Sequence, residues 1–77
     1  MNVSHVEYRG FWAIALLSQT TIVGYWSVRR GEWICETEVA DIAMWAKQPP
    51  VLEYIADNYT RLYSAPIIRD VSLAESA

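Results

Sequence analysis

Few residues in this chain have side chains that could catalyse a reaction. The sequence has one histidine, His5, and one cysteine, Cys35. A cysteine nucleophile needs a base in contact with it and a third group that orients the base, and zinc sites need paired cysteines or histidines at short spacing. The sequence has neither pattern. We therefore expect Cys35 to be a small apolar residue of the interior, and we expect no metal site, no cofactor and no enzymatic activity.

The densest group of carboxylates consists of Glu36, Glu38 and Asp41. Acid–base catalysis by two carboxylates requires different environments on the two sides of a substrate cleft. Glu36 and Glu38 would point the same way on a strand, because side chains two positions apart share a face. We therefore interpret the group as an acidic contact at a sheet edge, beside the N-terminus of a helix, that would speed association with a basic partner surface.

Basic residues alternate with aromatic residues around a predicted turn. Arg29 and Arg30 lie between Trp26 and Trp33 in the sequence, and Arg9 is a third candidate basic residue. This interleaving is found in proteins that bind single-stranded nucleic acid. However, the net charge is −3, whereas nucleic-acid-binding domains are usually basic. Nucleic-acid binding is therefore the alternative hypothesis and not the first one.

Length and composition indicate one small folded domain over residues 1–77. Four Trp, five Tyr and a hydrophobic fraction of 53% are typical of a chain with a packed core. A lone cysteine fits a reducing compartment, and no apolar run approaches the roughly 20 residues of a membrane span. We expect a cytoplasmic protein that does not bind membranes.

The first half of the chain has the pattern of β-strands. Aromatic, aliphatic and β-branched residues are concentrated in three runs, and the sequences SQTT and RRGE between them are typical of turns. Gly31 is the kind of residue that a tight hairpin requires. The predicted strands cover residues 6–17, 22–29 and 32–36, and they form an antiparallel meander.

The second half changes to a helical period. Thr37 is a candidate N-cap for a short helix over residues 38–47. Pro49 and Pro50 end that helix and begin an amphipathic one over residues 50–63. The tail, residues 66–77, is compatible with an edge strand, a helical turn or a loose end. The predicted fold is α+β, a three-stranded antiparallel meander followed by one or two α-helices packed on one face.

The meander leaves one face of the sheet without obvious cover. A hairpin with Gln19 and Thr20 at its tip places Trp26 and Trp33 on the face that the amphipathic helix covers. The opposite face is also apolar, with acidic residues at its edge, and we predict that it binds a partner. Its residues are Trp12, Ile14, Leu16, Val23, Tyr25, Ile34, Glu36 and Glu38.

An uncovered apolar face usually marks an interaction surface. The main hypothesis is therefore a non-enzymatic protein–protein interaction domain, with a homodimer as its simplest form. Size and acidity also suggest a small accessory or inhibitor protein, of the kind encoded by phages and mobile elements, that masks a larger target. The competing interpretation is a monomer in which the two helices cover one face each and no special surface remains.

Overall fold

The structure, a computed structural model, describes residues 1–67. Its centre is a four-stranded antiparallel sheet in the order β1-β2-β3-β4. The predicted α+β class is confirmed, and the sheet has one strand more than expected. The elements are β1 (Asn2–Tyr8), β2 (Phe11–Ser18), β3 (Thr21–Ser27), β4 (Glu32–Ile34), a 3₁₀ helix (Glu36–Asp41), α1 (Gln48–Asp57) and α2 (Tyr59–Ser64).

The additional strand arises because residues 6–17, expected as one strand, fold as a hairpin. Tyr8 pairs with Phe11, so Arg9 and Gly10 form a two-residue loop. Both loop residues have positive φ, 51° and 86°, which is the combination of a type I′ turn. An Arg-Gly pair inside an apolar run is a weak turn signal, because Asn or Asp is the usual first residue of such a loop.

A β-bulge in β3 changes which residues share a face of the sheet. Leu17 pairs with Ile22, as predicted, but the next pair is Leu16 with Gly24, which leaves Val23 without a cross-strand partner. Side chains alternate between faces along a strand, so one inserted residue exchanges the faces of everything beyond it. The residues of β3 after the bulge therefore align with the opposite set of β2 side chains from the predicted one.

Helices α1 and α2 cover one side of the sheet, called the helix face below. Trp26 and Trp33 pack there edge to face, with ring centroids 5.0 Å apart. Their indole N–H groups donate to the Tyr54 hydroxyl and the Leu62 carbonyl, each at 2.9 Å, so both helices are tied to the sheet by bonds from buried tryptophans. The buried residues of the helix face are Ile14, Leu16, Trp26, Trp33, Val51 and Leu62.

The other side of the sheet, called the loop face below, is covered by the chain between β4 and α1. Ile42 belongs to the buried cluster on this face, and Val39 and Met44 pack against that cluster. The α-helices thus pack on one face, as expected, and a segment made of the 3₁₀ helix and an extended stretch occupies the second face. The buried sheet residues of the loop face are Tyr8, Ala13, Ala15, Tyr25 and Ile34.

The covering segment, expected as a helix over residues 38–47, is a 3₁₀ helix as far as Asp41 and extended beyond it. The backbone of Trp45 exchanges hydrogen bonds of 2.7 and 2.8 Å with Trp12, and the Ala43 N–H donates to the Trp26 carbonyl at 2.9 Å. These bonds pair backbone groups at the diverging ends of β2 and β3. Because buried backbone groups need partners, this segment is extended.

The remaining boundaries also differ from the expected ones. The helix over residues 50–63 is divided at Asn58, whose φ of −119° and ψ of 24° separate α1 from α2. The Asn58 backbone N–H and its side-chain amide both donate to the Tyr54 carbonyl at 3.0 Å, and local side-chain bonds of this kind make asparagine unfavourable within helices. The strand over residues 32–36 ends at Ile34. Of the tail, Ile67 pairs beside β4, and residues 68–77 lie outside the described residues.

Candidate interaction edge

The apolar residues predicted to form one partner-binding face are divided between the two faces of the sheet. Trp12, Ile14 and Leu16 pack on the helix-face side, whereas Tyr25 and Ile34 lie on the loop face. Four of these five are buried, with exposed fractions of 7% or less, and Trp12 is half-buried. The uncovered face expected from the sequence is therefore not found, because the extended segment after β4 reaches across the sheet.

The other predicted partner-binding residues are at the surface, and the two acidic ones interact within the chain. Val23, at the bulge, is 38% exposed. The Tyr8 hydroxyl donates to the Glu36 carboxylate at 3.3 Å, and Glu38 lies 2.6 Å from the Arg30 guanidinium. The structure therefore does not bring the predicted partner-binding residues together in one surface.

Arginines of the β3–β4 turn and nearby carboxylates form one ion-pair network. Arg30 lies 2.9 Å from Glu32 and 2.6 Å from Glu38. Asp41 contacts both Arg30 and Arg29, at 3.5 and 3.3 Å. The hydrogen bond with Glu38 raises the pKa of Arg30 above its ordinary value. The network joins the 3₁₀ helix to the turn, which makes the acidic group part of the fold.

The aromatic residues of the nucleic-acid hypothesis are not available for base stacking. Trp26 and Trp33 are buried, at 0% and 1% exposure. Arg9 lies in the β1–β2 turn, where its guanidinium is 5.4 Å from the centre of the Tyr8 ring. Base stacking requires an exposed ring face beside the basic groups, and these arginines and tryptophans do not provide one.

His5 and Cys35 are far apart in the sheet. His5 lies in β1 and Cys35 follows β4, so two strands separate them. His5 instead contacts α1, with its Nε2 atom 2.7 Å from Nε2 of Gln48, and its ring is 5.4 Å from the ring of Trp12. Among residues 1–67, no three His, Cys, Asp or Glu side chains are grouped so as to hold a metal ion.

The two edges of the sheet differ. At one edge, β4 has three residues, and the chain returns beside it, with the Trp33 N–H donating to the Pro66 carbonyl at 3.1 Å. At the other edge, β1 has seven residues. Within residues 1–67, no strand pairs with β1 on the side away from β2. Among the residues that the structure describes, the β1 edge is therefore the longer and more open of the two.

The turn geometry determines which backbone groups of β1 point outward. Tyr8 and Phe11 flank a two-residue loop, and residues in that position exchange hydrogen bonds with each other. Bonded and non-bonded pairs alternate along an antiparallel ladder. Every second residue of β1 therefore directs its N–H and C=O away from β2, and these residues are Val3, His5 and Glu7.

One outward N–H is already occupied. The Val3 N–H donates to the Tyr63 hydroxyl at 3.1 Å, which agrees with the outward direction assigned above. The His5 carbonyl accepts a long bond of 3.3 Å from the Ser4 hydroxyl. In the described part of the chain, the N–H groups of His5 and Glu7 have no hydrogen-bond partner, so an incoming strand could bind there.

Sequence reasoning missed this edge because it placed residues 1–5 outside the sheet. The usable signal was Gly10, which follows the alternating run Val6, Glu7, Tyr8 and could have been recognised as the end of a hairpin. A strand before that turn would have been the first strand of the sheet and hence a candidate edge.

Comparison with models of protein families, with curated proteins and with solved structures gave no match to this chain. Among the described residues, no helix is both long and apolar enough to cross a membrane.

Proposed function

We propose that this protein is a non-enzymatic protein–protein interaction domain that binds an extended segment of its partner along β1. The observation that carries the proposal is the seven-residue edge, at which the His5 and Glu7 N–H groups are unpaired within residues 1–67. An added strand supplies backbone acceptors and donors to such an edge and extends the sheet.

The composition of β1 supports this use. Exposed edges are commonly protected from pairing by proline, by charged side chains and above all lysine, by a bulge or by a very short strand. The sequence of β1, NVSHVEY, contains no proline or lysine and a single carboxylate, Glu7, and its pairing with β2 runs without a bulge from Asn2 to Tyr8. The β4 edge, in contrast, is short and is covered by Pro66 and Ile67.

The mode of binding differs from the one that the sequence suggested. Backbone hydrogen bonding along the edge replaces burial of an apolar face, because both faces are covered by the chain itself. Strand addition serves a homodimer, and it equally serves a small accessory or inhibitor protein that masks a larger target.

The experiment selects binding peptides from a displayed random-peptide library on the parent protein and on Glu7→Pro. Proline removes the outward N–H of Glu7 but none of the bonds between β1 and β2, and edge strands tolerate proline at such positions. We expect enrichment of peptides rich in β-branched and aromatic residues that bind the parent and not Glu7→Pro. Glu7→Thr, which keeps the N–H, is the matched control and should bind these peptides like the parent.

Circular dichroism and unfolding curves establish that each variant is folded. If Glu7→Pro unfolds, His5→Pro removes the neighbouring outward N–H and replaces it in the selection. Peptides that bind the parent and a folded proline variant equally well would contradict the proposal, and so would a lack of enrichment on parent protein that is monomeric at the concentration used.

A further inference from the structure

We infer that the strand added to β1 is β1 of a second copy of this chain, paired antiparallel about a two-fold axis that passes beside Val6. This inference rests on the proposed function and names its partner. The two sheets would join into one continuous sheet with β1 and its copy at the centre.

The pairing register of the two β1 strands follows from the residues whose backbone groups point away from β2. Antiparallel strands form their hydrogen-bonded pairs between residues that both face the partner. In β1, the outward N–H groups without a partner among residues 1–67 belong to His5 and Glu7. An axis at Val6 places His5 opposite Glu7 of the second copy, and Glu7 opposite its His5. Each such pair exchanges both of its N–H···O bonds, so the unpaired N–H groups of both chains are satisfied.

The neighbouring registers of the two β1 strands are less favourable than the one with its axis at Val6. An axis at His5 would pair Val3 with Glu7 of the second copy, but the Val3 N–H is held by the Tyr63 hydroxyl at 3.1 Å. An axis at Glu7 would place two carboxylates directly opposite each other, which destabilises a sheet. An axis at Val6 avoids both problems.

The side chains also match in this register. The side-chain nitrogen of Gln48 can only donate, so in its 2.7 Å contact with His5 the Nε2 atom of the imidazole accepts. The tautomer that fits this contact has its ring proton on Nδ1, a group that can donate to a carboxylate. On the other face of the strand, the two Val6 side chains form an apolar non-hydrogen-bonded pair, in which side chains approach most closely.

Self-complementarity is what favours a second copy over a different protein. His5 and Glu7 are two positions apart on the same edge, one able to donate and the other to accept. A two-fold axis between them therefore satisfies both side chains twice. A different partner would have to supply its own donor and acceptor at the same spacing.

The decisive experiment is cysteine cross-linking of the full chain in a Cys35→Ser background. At an axis beside Val6, the two copies of residue 6 have Cα atoms about 4.5 Å apart, which a disulfide can bridge. Val6→Cys should therefore form a covalent dimer under mild oxidation. His5→Cys is the matched control: its two copies would be diagonal neighbours about 7–8 Å apart, too far for an unstrained disulfide.

Sedimentation equilibrium without cross-linking tests the side-chain pair. His5→Glu places carboxylates opposite each other in two symmetric pairs and should weaken the dimer by roughly two- to thirtyfold. His5→Glu combined with Glu7→Lys restores opposite charges and should recover most of that loss.

The outcomes separate this inference from the proposed function. Efficient cross-linking at residue 5 but not at residue 6 would overturn the register. A monomer at all concentrations, with no cross-link at either position, would overturn the second copy as partner. If peptides still bind the parent and not Glu7→Pro, the proposed function survives that result; if they do not, both ideas fail.

Discussion

The indole nitrogen of Trp26 donates a hydrogen bond to the hydroxyl of Tyr54 across 2.9 Å. Trp26 lies in β3 and is fully buried, and Tyr54 lies near the middle of α1. Tyr54 also packs against Trp45, with ring centroids 5.3 Å apart. The Tyr54 hydroxyl therefore accepts the hydrogen bond of the buried Trp26 indole. It does so where α1 packs against Trp45 of the extended segment.

Tyr54→Phe should lower the free energy of unfolding by about 1–3 kcal/mol, because the buried indole N–H loses its partner while the ring packing is kept. Urea unfolding monitored by tryptophan fluorescence measures the change. Tyr59→Phe is the control, since Tyr59 is 59% exposed, and it should stay within about 0.5 kcal/mol of the parent. Equal effects of the two substitutions would contradict the assigned role.

Much of the fold could be predicted from short-range sequence signals. The turn at Gln19 and Thr20, the glycine at residue 31 and the proline pair in the first turn of α1 each depend on local backbone chemistry. These signals identified an antiparallel meander followed by helices. The α+β class follows from that order of elements.

The predictions that were wrong concern features decided by contacts between segments that are distant in the sequence. The bulge at Val23 decides which face Tyr25 occupies. The adjacent Gly24 is compatible with a bulge, but a glycine within a strand equally indicates a close backbone approach. The segment around Trp45 has a helical pattern, yet it is extended because the backbone of Trp12 needs a partner.

The candidate site was missed for a different reason, because residues 1–5 were placed outside the sheet although Gly10 could have indicated a hairpin. That signal predicts a first strand, but only the assembled sheet shows that the strand lies at an edge.

Gln19→Gly should stabilise the domain by about 1 kcal/mol. Gln19 has a φ of 58°, a left-handed conformation that costs an L-residue roughly 1–2 kcal/mol and costs glycine almost nothing. Part of the gain is lost to the greater entropy of glycine in the unfolded chain. Thermal unfolding of the variant measures the difference.

Thr20→Gly is the matched control at the neighbouring loop position. Thr20 does not have a positive φ, so glycine relieves no strain there and should lower the melting temperature through the same unfolded-state entropy. A loss of stability in Gln19→Gly as large as in Thr20→Gly would show that the turn at Gln19 is not strained.

Ile42→Ala should cost about 2–5 kcal/mol, because Ile42 is buried against the loop face and its truncation leaves a cavity there. Ile22→Ala removes the same atoms from a residue that is 40% exposed, and it should cost clearly less. Chemical unfolding of both variants compares them. Similar small costs would mean that the segment after β4 does not cover the loop face, and the uncovered face expected from the sequence would then return.

Burial raises the pKa of the Tyr25 hydroxyl above its ordinary value, and the negative charge of Glu36 and the proximity of Tyr8 act in the same direction. The folded protein therefore holds the Tyr25 proton more tightly than the unfolded chain does. Below about pH 10 tyrosine is protonated in both states, so Tyr25 contributes no pH dependence there. As the pH rises above that value, the unfolded chain releases the proton first and stability falls.

Tyr25→Phe removes this titration, so the free energy of unfolding of the parent should fall more steeply than that of the variant above about pH 10. The measurement is a series of urea unfolding curves from neutral pH into the alkaline range. Any constant offset caused by losing the hydroxyl appears already at neutral pH and is subtracted. Tyr59→Phe retains Tyr25 and should keep the slope of the parent. Parallel curves for Tyr25→Phe and the parent would show that the environment of Tyr25 does not favour its neutral form.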